Sequence, residues 1–166
     1  MQSSFAVGDT AIYPVHGITK VVGLEQRTIG DSAISVYVLE VKENGSRIMV
    51  PTSNAEAVGL RLVASRDQVD EVVALLRTHH DVRNDQSWNR RKREYTEKLK
   101  TGDIFEIAEV TRDLSLLGQN KSLSFSERRM LDTAKNLLVK EIALARDSSE
   151  AEVTALIESI FTREAA

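Results

Sequence analysis

One stretch of this sequence combines a large aromatic ring with a run of cations. Ser87 to Lys100 reads SWNRRKREYTEKLK and holds the only tryptophan, Trp88. Four consecutive basic residues follow almost at once: Arg90, Arg91, Lys92 and Arg93. At helical spacing Trp88, Arg91 or Lys92, Tyr95 and Leu99 form one stripe, while Arg90, Arg93 and Glu97 point elsewhere. A flat apolar ring beside cations can bind nucleic acid, because the cations hold phosphates and the ring stacks on, or wedges beside, a base. The same residues also suit a plainer arrangement, in which Trp88 anchors a helix end in a core and the arginines are a solvated face.

No other group of residues offers comparable chemistry. The histidines are His16, His79 and His80, and adjacent histidines on a helix diverge by about 100°, which is poor geometry for sharing a metal. The sequence lacks an HExxH pattern, a phosphate-binding glycine loop and a G-x-S-x-G elbow. Asp67, Asp70 and Glu71 cluster carboxylates near a predicted helix start, where negative charge is favourable without any catalytic role. With no cysteine there is neither a disulfide nor a thiolate metal site. We therefore expect no enzyme activity, no metal and no cofactor.

Charge is unevenly spread. The 166 residues carry a formal net charge of −3, yet residues 83–101 are net +4 and residues 102–166 are net −4. A general DNA-coating protein is excluded by that balance, and a nucleic-acid footprint, if present, is small. No apolar run approaches the roughly 18 residues of a membrane span, and MQSSFAVGDT lacks the regions of a signal peptide. A cytoplasmic protein without a membrane partner is the expectation.

Two kinds of element must position these residues. From residue 5 to 51 the pattern is β: short apolar runs separated by Gly8-Asp9, Gly30-Asp31 and Asn44-Gly45, with Pro14 and Pro51 at strand ends. A bent strand runs from Ile18 past Gly23 to Ile29, Tyr37 and Leu39 fill positions alternate to Val36 and Val38 so that both faces are covered, and Asn44-Gly45 suits a two-residue type I′ hairpin. Val58-Gly59-Leu60 is a candidate further strand. From residue 65 the period becomes helical. Ser65-x-x-Gln68, Asp103-x-x-Glu106, Ser124-x-x-Glu127 and Ser149-x-x-Glu152 fit helix starts, Ser87 or Asp85 caps the Trp88 helix, and Gly118 closes the helix opened at Asp103. Residues 79–86 read as a loop. Strands first and helices after predict an α+β chain: a small bent sheet or barrel over 1–64 and a compact all-helical domain over 65–166.

Several segments, taken in order, resemble the CarD/CdnL family of bacterial RNA polymerase-binding transcription regulators. They are GDTAIYPVHG (8–17), YVLEV (37–41), RIMVP (47–51), VGLR (58–61), WNRRKREYTEKLKTGD (88–103), IAEVTRDL (107–114) and LSFSERRMLDTAKNLLVKEIALA (123–145). The resemblance implies a Tudor-like β domain that binds the RNA polymerase β subunit, usually through an exposed sheet edge, as a similar module does in transcription-repair coupling factor. It also implies a helical domain that contacts DNA. Arg27, Met49 and Pro51 match polymerase contacts of the family; some relatives have arginine at position 49, so the contact at Met49 is one of packing. Trp88 matches a tryptophan that enters the minor groove at the upstream edge of the melted promoter, and Arg90, Arg91 and Arg93 match basic residues on DNA phosphates. Lys92 departs from relatives that carry an aromatic there, which leaves open whether position 92 packs inward or joins the basic face.

The resulting expectation is a non-enzymatic, monomeric regulator that reaches the nucleoid through polymerase. Its partners are the polymerase β subunit and promoter DNA at the upstream edge of the bubble, and it lengthens open-complex life. Two alternatives stand beside it. One is a polymerase-docked adapter whose helical domain binds another protein with Trp88 as a hot spot. The other is a small enzyme using Asp67, Asp70 and Glu71.

Overall fold

Glycine and proline punctuation divides residues 5–62 into five short antiparallel strands. A computed structural model describes residues 5–14, 16–78 and 88–164. Within it β1 (Thr10–Tyr13), β2 (Gly17–Ile29), β3 (Ser32–Val41), β4 (Arg47–Pro51) and β5 (Arg61–Leu62) form one sheet in the order β4-β3-β2-β1-β5. Alternation decides what each face buries. Val21, Tyr37, Leu39 and Val50 point into a core shared with Phe5, Ala11, Ala55 and Leu60. Val36 and Val38, on the other face, are buried as well, so β3 is covered on both sides. The expected bend in β2 is a bulge: the register with β3 shifts between Val21 and Gly23, which leaves Val22 as an extra residue.

Two turns show how local chemistry sets strand pairing. Gly30 has φ of 62° while Asp31 does not enter the positive region, as a two-residue type II′ turn between Ile29 and Ser32 requires. At Asn44-Gly45 the expected type I′ turn does not form. Only Gly45 takes a positive φ, 72°, and the connection holds five residues, 42–46, with Val41 N–H bonded to Ser46 O at 2.8 Å. The Asn44 side chain accepts from Ser46 N–H at 2.9 Å, and Lys42 N–H pairs back to Ile18 of β2 at 3.0 Å. An Asx turn and the β2 ladder thus outcompete the shorter hairpin. Val58-Gly59-Leu60 also departs from expectation: these residues are in a turn region whose Leu60 plugs the core, and the short strand follows at Arg61–Leu62.

The backbone separates into two compact units, residues 1–63 and 64–166. The second contains α1 (Arg66–Leu76), α2 (Trp88–Thr101), α3 (Ile104–Asn120), α4 (Phe125–Arg146) and α5 (Glu150–Glu164). Ser65 and Ser124 make full capping boxes with Gln68 and Glu127, and Asp103 caps α3 through the Phe105 and Glu106 N–H groups. Ser149 accepts from Glu152 N–H at 3.1 Å at the start of α5. Helix α3 is central, with Ile104, Ile107, Ala108, Leu114 and Leu117 all buried, and Leu138 and Ile142 of α4 and Val153, Ile157 and Ile160 of α5 join the same core. Gly118 does not end α3, which continues to Asn120. A Cβ at 118 would meet Leu123 at 3.4 Å, so the glycine serves close packing of the α3–α4 loop. The expected loop 79–86 with His79 and His80, and the caps Asp85 and Ser87, fall outside the described residues.

Gly23 in β2 and Gly45 in the β3–β4 connection should respond oppositely to alanine. Gly23 has an ordinary φ and its added Cβ would lie 3.6 Å from Val38, so Gly23→Ala should stabilise the sheet by about 0.5 kcal/mol. Gly45 has φ of 72°, and Gly45→Ala should cost about 1 kcal/mol. Native-state amide hydrogen exchange at Val21 and Leu39 in the full chain measures both changes.

Candidate nucleic-acid interface

Helix α2 lays Trp88, Arg91, Tyr95 and Leu99 along one inward stripe. Tyr95 is buried, Trp88 and Leu99 are half-buried, and the Trp88 and Tyr95 ring centroids are 6.3 Å apart. Burial, and after it the negative charge of Asp113, pushes the Tyr95 hydroxyl up to about 12, so it stays protonated at neutral pH. The Trp88 ring is therefore seated on the core but not enclosed by it. Its one polar atom has a definite partner: Nε1–H donates to Ser126 Oγ on α4 at 3.1 Å.

Arg91 is turned away from solvent. The sequence reading grouped it with Arg90 and Arg93 as a phosphate contact, and the structure separates them. Arg91 is 6% exposed, its guanidinium carbon is 5.7 Å from the Trp88 ring centroid, and Nη2 is 3.7 Å from Glu127 Oε2. The physical reason is helical geometry. One turn from Trp88, position 91 faces α4, where a buried carboxylate needs a counter-charge. The Arg91 Nε and Nη1 atoms are buried without a hydrogen-bond acceptor, so the ion's compensation comes from the Glu127 charge and the indole face.

Glu127 is the carboxylate in question. It is 2% exposed and occupies the third position of the α4 capping box, where Oε1 accepts from Ser124 N–H at 2.9 Å. Lys121 Nζ, just beyond the end of α3, lies 3.3 Å from Oε2. Burial is the largest single influence on this carboxyl and pushes its pKa up. The Ser124 hydrogen bonds and the Lys121 ammonium act the other way, and the net result lies below the ordinary value of 4.5.

Arg90, Lys92 and Arg93 are exposed on α2, which answers the question left open at position 92: Lys92 joins the outer face. Across from Trp88, the first turn of α4 adds Phe125, 82% exposed, with Arg128 and Arg129 three and four residues on. Many other cations of the helical unit are neutralised by carboxylates: Lys98 by Glu109, Lys100 by Glu97, Lys135 by Glu158 and Arg146 by Asp70. Among the described residues, Lys92, Arg93, Arg128 and Arg129 have no ion-pair partner. Lys92 and Arg93 lie on α2, the helix that carries Trp88, and Arg128 and Arg129 on α4, the helix that carries its partner Ser126. Arg66 and Arg77, at the two ends of α1, are likewise exposed without an ion-pair partner among the described residues. Sequence reasoning missed Phe125, Ser126, Arg128 and Arg129. Ser124-x-x-Glu127 marked the helix start, but nothing local says that this start meets α2.

The three candidates in the sheet share a face. Arg27 pairs in register with Ile34, while Pro51 and Met49 pair with Val36 and Val38. Registered partners point the same way, so all three lie opposite the Tyr37–Leu39–Val50 side. Met49 is 49% exposed on the edge strand β4, Pro51 is half-buried, and Arg27 is ion-paired to Glu25 at 3.0 Å. Asp67, Asp70 and Glu71 are exposed on α1, and Asp70 pairs with Arg146 at 3.1 Å. No grouping able to hold a metal ion occurs among the described residues. None of the described helices is long and apolar enough to cross a membrane.

The chain thus comprises a bent antiparallel sheet followed by a helical unit whose α2 carries a half-buried tryptophan and exposed cations. The sequence matches the CarD-like/TRCF RID domain over residues 5–64 and the CarD, C-terminal domain over residues 71–158. The chain belongs to the CarD/CdnL family. It is 30% identical over 154 residues to a Bacillus subtilis (strain 168) protein named "Putative transcription factor YdeB", an overlap of 90% of this chain and 97% of that protein. Among solved structures it is similar to CdnLNt from Myxococcus xanthus, with 44% identity, 40% of this chain and 93% of that chain covered, and a TM-score of 0.34. The 72-residue N-terminal domain of Myxococcus xanthus CarD gives 27% identity, 37% and 89% coverage, and a TM-score of 0.31.

Arginines 91 and 93 should separate in experiment. Arg91→Ala leaves Glu127 with Lys121 alone and should destabilise the helical unit by about 3 kcal/mol, whereas Arg93→Ala should change it by less than about 0.5 kcal/mol. Thermal unfolding followed by Trp88 fluorescence reads this unit specifically. The depressed Glu127 pKa fixes the pH dependence. Its contribution is complete above the unfolded value of 4.5 and is lost as pH falls through the lower folded value. The melting-temperature advantage of wild type over Glu127→Gln should therefore shrink below pH 4.5 and vanish at lower pH.

Proposed function

We propose that this protein is a non-enzymatic transcription regulator that tethers itself to the RNA polymerase β subunit and stabilises the promoter open complex. The family places it among CarD-like transcription factors, and the RID-type unit, residues 1–64 in this reading, is the polymerase-interacting part. Met49 and Pro51 on the β4 edge, with Arg27 on the same face, supply packing and main-chain pairing for that contact. The helical domain, residues 65–166, brings Trp88 against the minor groove at the upstream edge of the bubble.

One observation carries the DNA half of this reading. Trp88 is half-buried on α2 and bonded to Ser126 on α4, and these two helices also carry Lys92, Arg93, Arg128 and Arg129, which are exposed and have no ion-pair partner among the described residues. Arg90 adds to the same charge on the outer face of α2. Arg91 acts from below, through the indole, rather than on phosphate. Cations of this number hold DNA weakly by themselves, so polymerase supplies the position and the ring supplies the wedge. Unstacking a base step costs a few kcal/mol, which polymerase has already met at the bubble edge. Selectivity then follows bubble stability, since phosphate contacts carry no sequence information.

Phe125 favours a second reading. An aromatic side chain 82% exposed at the same face is also what a protein partner would bury, and an adapter docked on polymerase would use it with Trp88 as anchors.

Open-complex lifetime on a ribosomal-RNA-type promoter with cognate polymerase decides between these readings. Wild type should lengthen the lifetime, and Trp88→Ala and Met49→Ala should each return it to the level without factor. The affinity of the full chain for duplex DNA should fall with salt at a log–log slope no steeper than about −4, from roughly four phosphate contacts. A wild-type lifetime in Trp88→Ala, together with retained polymerase binding, would instead establish the adapter.

A further inference from the structure

Trp88 is not held by the core alone. Its indole N–H is satisfied by Ser126, its ring is backed by the buried Arg91 guanidinium, and Arg91 is in turn held toward α4 by Glu127. Ser126 and Glu127 are consecutive residues in the first turn of α4, the turn whose backbone is fixed by the Ser124 capping box. We propose that this first turn is a positioning device for Trp88: Ser126 sets the direction of the indole edge, and the Glu127–Arg91 pair sets its depth. The inference rests on the reading that Trp88 contacts promoter DNA, and it makes Ser126 a positioning residue that need not touch DNA itself.

The chemistry supports this division of labour. A tryptophan seated only by apolar contact can rotate about two side-chain torsions, and a ring that must enter a groove loses affinity with each orientation it has to give up on binding. An indole N–H has a single donor direction. Pairing it with a hydroxyl on another helix removes the alternative orientations before DNA arrives. The Arg91 guanidinium, 5.7 Å from the ring centroid and 94% buried, closes the space behind the ring, so the indole cannot retreat into the domain without displacing a charge held by Glu127. Ser126 is not part of the hydrophobic core, which is built from Tyr95, Ile107, Leu114, Leu138 and their neighbours.

The single tryptophan makes the test direct, because the full chain gives one indole N–H resonance. Ser126→Ala, Ser126→Thr and Trp88→Ala are compared with wild type in three measurements: melting temperature, solvent exchange of the Trp88 indole N–H, and open-complex lifetime at a temperature where every variant is folded. Ser126→Ala should lower the melting temperature by only about 4–8 °C, speed indole exchange, and shorten the lifetime roughly fivefold, the factor expected from one lost hydrogen bond. Ser126→Thr, which retains the hydroxyl, should restore both the exchange rate and the lifetime. Unchanged indole exchange in Ser126→Ala overturns the proposal, and so does faster exchange with a wild-type lifetime. Trp88→Ala separates the two layers: a wild-type lifetime in that variant overturns the DNA contact itself, and with it the purpose of the device.

Discussion

A carboxylate that is 2% exposed fixes the arrangement of the helical unit. An ion removed from water is tolerated only when opposite charge and hydrogen bonds replace its hydration. Glu127 gathers those replacements from three directions: the Ser124 N–H within its own helix, Lys121 at the end of α3, and Arg91 on α2. Each replacement ties a different piece of chain to the same two oxygens. The start of α4, the α3–α4 loop and the first turn of α2 cannot shift independently without leaving one of these charges unmatched. Hydrophobic burial in the rest of the unit supplies the bulk of the stability, but it is non-directional and would accept small slides and rotations of α2. The polar joint would not. It converts an approximate helix packing into a defined position for the residue one turn before Arg91, which is Trp88.

Much of this fold was legible because several levels of the sequence agree. Helix starts were readable at Ser65, Asp103, Ser124 and Ser149, since a capping residue acts over three positions and leaves a local signature. The bend in β2 was readable at Gly23, and the covered strand β3 from its unbroken apolar run. The failures have a common cause. Asn44-Gly45 carries a strong hairpin preference, but the preference is intrinsic to two residues and yields to a side-chain turn and a cross-sheet bond from Lys42. Gly118 has the composition of a helix end and the role of a packing surface for Leu123, a residue in the following loop. Arg91 sits in a basic run that reads as surface, and only the approach of α4 from a distance of 36 positions turns it inward. Tertiary partners at long sequence separation leave no mark on periodicity, and the candidate interface is built from such a pair.

The sheet unit shows the complementary case, where register alone carries the information. Arg27, Met49 and Pro51 are spread over two strands and 24 positions, yet an antiparallel ladder with a fixed bulge places them on one face. A one-residue slip of β4 against β3 would send Met49 to the opposite side and expose Val50. That slip is opposed by the burial of Val50 beside Tyr37 and Leu39, and by the five-residue connection that fixes where β4 begins. The core on one side of the sheet therefore determines the chemistry displayed on the other.

The distribution of paired and unpaired cations bears on how such a protein would discriminate among DNA sites. A chain of net charge −3 repels DNA at long range, and its ion pairs at Lys98, Lys100, Lys135 and Arg146 remove more of the attraction. What remains includes the exposed cations on α2 and in the first turns of α4. Free encounter with duplex is then unproductive, because the cost of unstacking exceeds what a few exposed cations return in high dielectric. Delivery by a tether changes the balance. Under the proposed function, a docked β domain would raise the effective concentration of the helical domain near the bubble, where the duplex edge is already weakened. Acidic surface elsewhere on the helical unit would then penalise binding to intact DNA away from polymerase. Selectivity of this kind needs no base-reading residue. In the proposed reading it would arise from a weak patch that works only where another molecule has already opened the duplex.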